Sequence, residues 1–192
     1  MRGWPRRGAL AGLAVVLVVA GVVAGGWVVV ERDEPTWFAR MRYPLEYDHI
    51  VAGHARNYDL DGALLAAVIY RESGFDPDAH SSSGAVGLMQ LLPSTARGIA
   101  RLTGGTRFVV RDLYDPEVNV RYGAFYLRRL LVRYDGRVDL ALAAYNAGQA
   151  NVDRWLARGE GIGFAETRDY VDDVVRLRAV YRRAYGDRLP AA

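Results

Sequence analysis

The sequence predicts an all-α domain behind a single N-terminal membrane-spanning helix. Residues 9–30 run without a charge. Beyond Pro44, apolar residues recur at helical spacing in segment after segment. No stretch alternates convincingly with period two; Phe108-Val109-Val110 is the one strand-like run, and it is short.

The run from Ala9 to Val30 holds 22 residues. As a helix it reaches about 33 Å at about 1.5 Å per residue, enough for a hydrocarbon core of roughly 30 Å. Arg2, Arg6 and Arg7 precede it, and Glu31, Arg32, Asp33 and Glu34 follow. The positive-inside rule then places residues 1–8 in the cytoplasm and the rest outside. A cleaved leader would carry a shorter apolar region, about 7–15 residues. Ala24-Gly25-Gly26 offers a cut site, but Trp27 and three valines continue the run, so a retained anchor is expected. Residues 31–43, charged and containing Pro35, read as a tether; residues 44–188 form the working domain.

Within that domain Pro44 opens a first helix to about Tyr58, with Ile50, Val51 and Ala55 inward. Asp59 or Asp61 caps the next, in which Leu64, Leu65, Val68 and Ile69 follow helical spacing up to Glu72. Residues 76–84 are turn chemistry. Pro93 starts a short helix to about Leu102, and residues 103–114 form a loop. Pro116 starts a long helix with Val118, Tyr122, Phe125 and Leu130 inward, ended by Gly136. Val138 to Ala147 is an apolar helix stopped by Gly148. Val152 to Leu156 is short. Glu166 to about Tyr185 is the last, with Val171, Val174, Val175 and Leu177 facing the core.

The net charge of +3 is misleading. Three of the 25 basic residues, all arginine, precede the span, which leaves 22 against 22 acids beyond it. Nucleic acid is therefore not an expected partner. With no Cys, disulfides, thiolate chemistry and lipid attachment at Cys are excluded. His49, His54 and His80 have no metal-ligand spacing, and no metal site is expected.

Three segments carry chemistry. Glu72 ends an apolar helical run just before Ser73-Gly74-Phe75. A carboxylate there opposes the helix dipole and is partly buried, and both effects raise its pKa toward that of a general acid. Gly84-Ala85-Val86-Gly87-Leu88-Met89-Gln90 combines glycines, which let a sugar approach the backbone, with an amide able to donate and accept. In Ala144-Tyr145-Asn146-Ala147-Gly148, a polar pair interrupts an apolar helix near its end.

Together these segments, with Glu166-Thr167-Arg168-Asp169-Tyr170-Val171, resemble the soluble lytic transglycosylases, lysozyme-like enzymes that cut the glycan of bacterial cell walls. The resemblance covers roughly residues 55–185 and implies a fold like that of goose-type lysozyme. It makes Glu72 the single catalytic carboxylate. Ser73, Gly87, Met89, Gln90, Tyr145, Asn146, Glu166 and Tyr170 are then expected to contact substrate, with Tyr145 orienting the glutamate. The implied reaction protonates the oxygen between N-acetylmuramic acid and N-acetylglucosamine and closes the C6 hydroxyl onto C1, giving a 1,6-anhydro sugar. No cofactor is implied. A hydrolase like goose-type lysozyme and a non-catalytic glycan-binding scaffold remain the alternatives. The implied partners are peptidoglycan strands and, through residues 9–30, the membrane; no wall synthase or secretion machine is identified.

Overall fold

Gly62 to Ile69 contains no polar side chain, and all eight residues are buried. A helix apolar on every side belongs at the centre of a fold. The computed structural model describes residues 35–191, and within them Gly62–Ser73 is that central helix. The chain divides into two units at Arg42. In the described part of the first, Thr36–Arg42 forms a short helix, α1, whose first amides donate to Pro35 O. Of the tether expected over 31–43, residues 36–42 are thus helical, and Pro35, just before the first turn, is at a position where no backbone donor is needed.

The second unit contains α2 (Asp48–Asn57), α3 (Gly62–Ser73), α4 (Pro93–Leu102), α5 (Pro116–Arg133), α6 (Val138–Ala147), α7 (Gln149–Ala157) and α8 (Ala165–Tyr185), with a 3-10 turn at Val110–Tyr114. Among the described residues there is no strand, only two isolated bridges, His80 with Val86 and Val86 with Leu91. Phe108 to Val110 leads into the 3-10 turn instead. Helix α2 begins at Asp48, not Pro44, because Tyr47 takes a left-handed φ of 50°. Val175, expected in the core, is 48% exposed, while Val171, Val174 and Leu177 are buried.

Helix α8 lies along α3, and α6 packs between α8 and α5. A second core, with Val86, Leu91, Ile99, Ala100, Leu113 and Tyr122, joins α4 and the 3-10 turn to α5. No described helix is long and apolar enough to cross a membrane; the anchor expected at residues 9–30 lies outside the described residues.

Asp61 ties α3 to α8. One carboxylate oxygen caps α3, accepting from Ala63 and Leu64 N–H at 2.8 and 3.2 Å. The other accepts from Arg178 and Arg182. Burial alone would raise the pKa of this carboxyl, but the two guanidiniums hold it below the usual range. Its stabilisation is therefore present above the ordinary carboxylate pKa and lost as pH falls through the lower folded one. Asp61→Asn keeps the cap and removes the charge. We expect a loss of about 2 kcal/mol at neutral pH, less than the roughly 3–5 of a fully buried pair, because Arg182 is 61% exposed and rehydrates. Urea unfolding measures it, and a loss within about 0.5 kcal/mol would return Asp61 to the range of ordinary surface positions.

Candidate active site

Helix α3 runs apolar for two turns and then delivers Glu72, its penultimate residue, into a cleft of about 510 Å³. Gly74, in the left-handed region at φ 63°, stops the helix one residue after Ser73. The cleft wall is completed by the loop before α4, Tyr126 of α5, the end of α6 and the start of α8.

Glu72 Oε1 accepts from Tyr170 Oη at 2.6 Å. Burial raises the pKa of this carboxyl to about 7, outweighing the lowering by Tyr170 and by the Arg71 guanidinium. Arg71 is itself fixed, 5.5 Å over the Tyr170 ring with its Nε donating to Asp173 at 3.1 Å. Burial and the charge of Glu72 push both Tyr170 and Tyr145 well above the ordinary phenol range, so both remain donors at neutral pH.

Tyr145 does not orient the glutamate. Its hydroxyl donates to Met89 O at 2.8 Å, and the hydroxyl on Glu72 is that of Tyr170. Asn146 Oδ1 accepts from the buried Thr167 hydroxyl at 2.8 Å, which turns the amide nitrogen of Asn146 away as a donor. Gln90 Nε2 donates to Ala79 O and Gly87 O, both at 3.0 Å, and leaves Oε1 as its acceptor. Glu72, Gln90, Tyr145, Asn146, Glu166 and Tyr170 all line the cleft.

Ser73, Gly87 and Met89 are not among the lining residues and instead build the wall from behind. Ser73 Oγ donates to Leu88 O at 2.8 Å and accepts from Phe75 N–H at 3.1 Å, fastening α3 to the loop. Met89 is fully buried. Gly87 has φ 77°, and a Cβ there would strike Asn119 and Leu113 O. The close approach that needs a glycine is to Asn119, not to a sugar. Asn119, fully buried on α5, accepts from Met89 N–H at 2.8 Å and donates to Val86 O and Leu113 O at 2.9 and 2.7 Å. Sequence reasoning missed this residue, whose signal was a polar side chain on the buried face of an amphipathic helix. It missed Thr167 and Arg71 as well.

The carboxylates lining the cleft are Glu72 and the exposed Glu166. Asp76 is not among them; its Oδ1 accepts from Asp78 N–H at 2.9 Å in a local turn. His54 lies elsewhere, against Glu117 at 2.8 Å. Among the described residues no cluster of three or more His, Asp or Glu could hold a metal.

Residues 50–166 match the model of the transglycosylase SLT domain. The chain belongs to this family. The SLT chain is 31% identical over 158 residues to the soluble lytic murein transglycosylase of Escherichia coli K12, covering 77% of itself and 24% of that protein. It is 39% identical over 147 residues to the membrane-bound lytic murein transglycosylase F of Yersinia pestis, covering 72% of itself and 27% of the relative. It therefore spans about a quarter of the length of these curated relatives. An inactive glutamate-to-glutamine mutant of lytic transglycosylase Slt from Pseudomonas aeruginosa superposes with a TM-score of 0.73 at 32% identity, over 84% of the SLT chain and 28% of that one. A 70-kDa soluble lytic transglycosylase solved with bulgecin A gives 0.74 at 29% identity, over 97% and 31%.

Proposed function

We propose that this protein is a peptidoglycan lytic transglycosylase, with Glu72 as its only proton donor and acceptor. The observation that carries the reading is Glu72 itself: a half-buried carboxyl at the cleft wall, hydrogen-bonded by Tyr170 and with a pKa near 7. The relatives' names as murein transglycosylases support the substrate.

In the first half-step Glu72, protonated, gives its proton to the oxygen between N-acetylmuramic acid and N-acetylglucosamine, and the bond from that oxygen to C1 breaks. The substrate's own acetamido oxygen stabilises C1, and the Asn146 amide nitrogen is available to hold that group. In the second half-step Glu72, now ionised, takes the proton of the C6 hydroxyl as its oxygen bonds to C1. The acid is regenerated, no water is consumed, and the product ends in a 1,6-anhydro sugar. A second carboxylate, needed when water attacks, is not required. Residues 9–30 would hold this domain at the outer face of the cytoplasmic membrane. Release of soluble muropeptides from purified sacculi by the full chain tests the reading; binding without release would favour the scaffold.

The pH dependence has a defined sign. Only protonated Glu72 starts the reaction, so kcat/KM should be level below about pH 7 and fall about tenfold per unit above it. The Tyr170 bond lowers the Glu72 pKa; Tyr170→Phe should move the falling limb to higher pH. A limb that stayed in place or moved down would refute the role given to this hydroxyl.

A further inference from the structure

Outside the cleft, α4 carries a second concave site. Leu92 and Thr95 border the cleft. Ser94, Arg97 and Arg101, spaced three and four residues apart, share another face of the helix. They line a depression of about 520 Å³ closed by Ala100, Gly104, Gly105, Thr106 and Phe108, and it shares no residue with the cleft.

Several arginines of the domain are neutralised by a carboxylate. Arg71, Arg133, Arg137 and Arg178 face Asp173, Asp153, Asp139 and Asp61. Among the described residues neither Arg97 nor Arg101 has a carboxylate partner or a side-chain hydrogen bond, and no acid lines the depression. Two unneutralised guanidiniums one helical turn apart disfavour the helix, and an anion across both relieves that repulsion. The guanidinium fork matches a carboxylate in two parallel hydrogen bonds. Ser94 and Thr106 add hydroxyls, and Ala100 and Phe108 add an apolar wall.

We propose that this depression is a carboxylate-binding subsite for the acidic peptide stems of peptidoglycan. The inference rests on the cleavage reading above. Each stem is amide-linked to the lactyl group of a muramic acid and carries free carboxylates. A strand lying against Leu92 and Thr95 would send a stem around α4 toward Arg97 and Arg101. The subsite would make the enzyme prefer stem-bearing strands over stripped ones.

The test compares the full chain with its Arg97→Ala, Arg101→Ala double variant on soluble glycan strands, before and after an amidase removes the stems. On stem-bearing strands KM should rise about tenfold or more, as expected from losing charge-assisted hydrogen bonds, with kcat unchanged. On stripped strands the two proteins should match. Equal losses on both substrates, or none on either, would overturn the subsite. Both side chains are exposed; if the alanine pair lowers the melting temperature, the glutamine pair replaces it. A titration of the full chain with free stem peptide is independent of catalysis. Saturable binding by the parent, lost in the variant, supports the subsite even if no strand is cut, in which case only the cleavage reading fails. Tighter binding of inorganic phosphate than of stem peptide would overturn it in favour of a phosphate-bearing ligand.

Discussion

Glu72→Gln should abolish turnover while making the domain more stable at alkaline pH. The amide can neither protonate the leaving oxygen nor take up the C6 proton. General acid–base catalysis contributes about 10²–10⁴-fold, and here one residue serves both half-steps, so the loss should reach the upper end or beyond. The pKa of Glu72 rises from 4.5 to about 7 on folding. The folded state therefore holds this proton more tightly, and the stability contribution of Glu72 falls as pH climbs from 4.5 to about 7. The amide is spared that penalty, which amounts to about 3 kcal/mol at most at roughly 1.4 per pKa unit. The variant should melt several degrees above the parent at pH well over 7 and level with it at acid pH. Sacculus digestion and calorimetry at the two pH values measure both effects. Turnover within about tenfold of the parent's, well inside the range such catalysis supplies, would remove Glu72 from its role and leave Glu166 as the cleft's remaining carboxylate.

The second large effect falls on a residue that touches no substrate. Asn119→Leu keeps the volume and deletes three buried hydrogen bonds. Met89 N–H and Leu113 O are then left unpaired, each at about 1–3 kcal/mol, while Val86 O keeps the Leu91 N–H. We expect a loss of about 4 kcal/mol from these together and a melting temperature lower by roughly 10 °C. Activity should fall even in the fraction that remains folded, because Asn119 holds the turn that presents Gln90 and receives the Tyr145 hydroxyl at Met89 O. Denaturant unfolding and turnover below the transition measure the two effects. A stable variant with full turnover would show that the loop carries its own conformation.

Much of the architecture was legible because its breakpoints are local. Pro93, Pro116, Gly136 and Gly148 mark their helix ends in the residues themselves. Glu72 was legible as a carboxylate ending an apolar run. What lay hidden depends on contacts distant in sequence. The partner of Glu72 is Tyr170, 98 residues away, whereas the motif alone points to Tyr145 as the residue that orients the glutamate. Gly87 reads as a site glycine until Asn119 is seen against it. Helix α2 starts late because Tyr47 adopts a backbone conformation uncommon for a tyrosine.

In the proposed reaction the substrate's own C6 hydroxyl, deprotonated by Glu72, replaces water at C1. Digesting sacculi in heavy-oxygen water and weighing the released muropeptides tests it directly. The account predicts anhydro-ended products, each lighter by one water than a reducing end and carrying no heavy oxygen at C1. Reducing ends bearing one heavy oxygen would contradict it and make the protein a hydrolase of the goose-lysozyme kind.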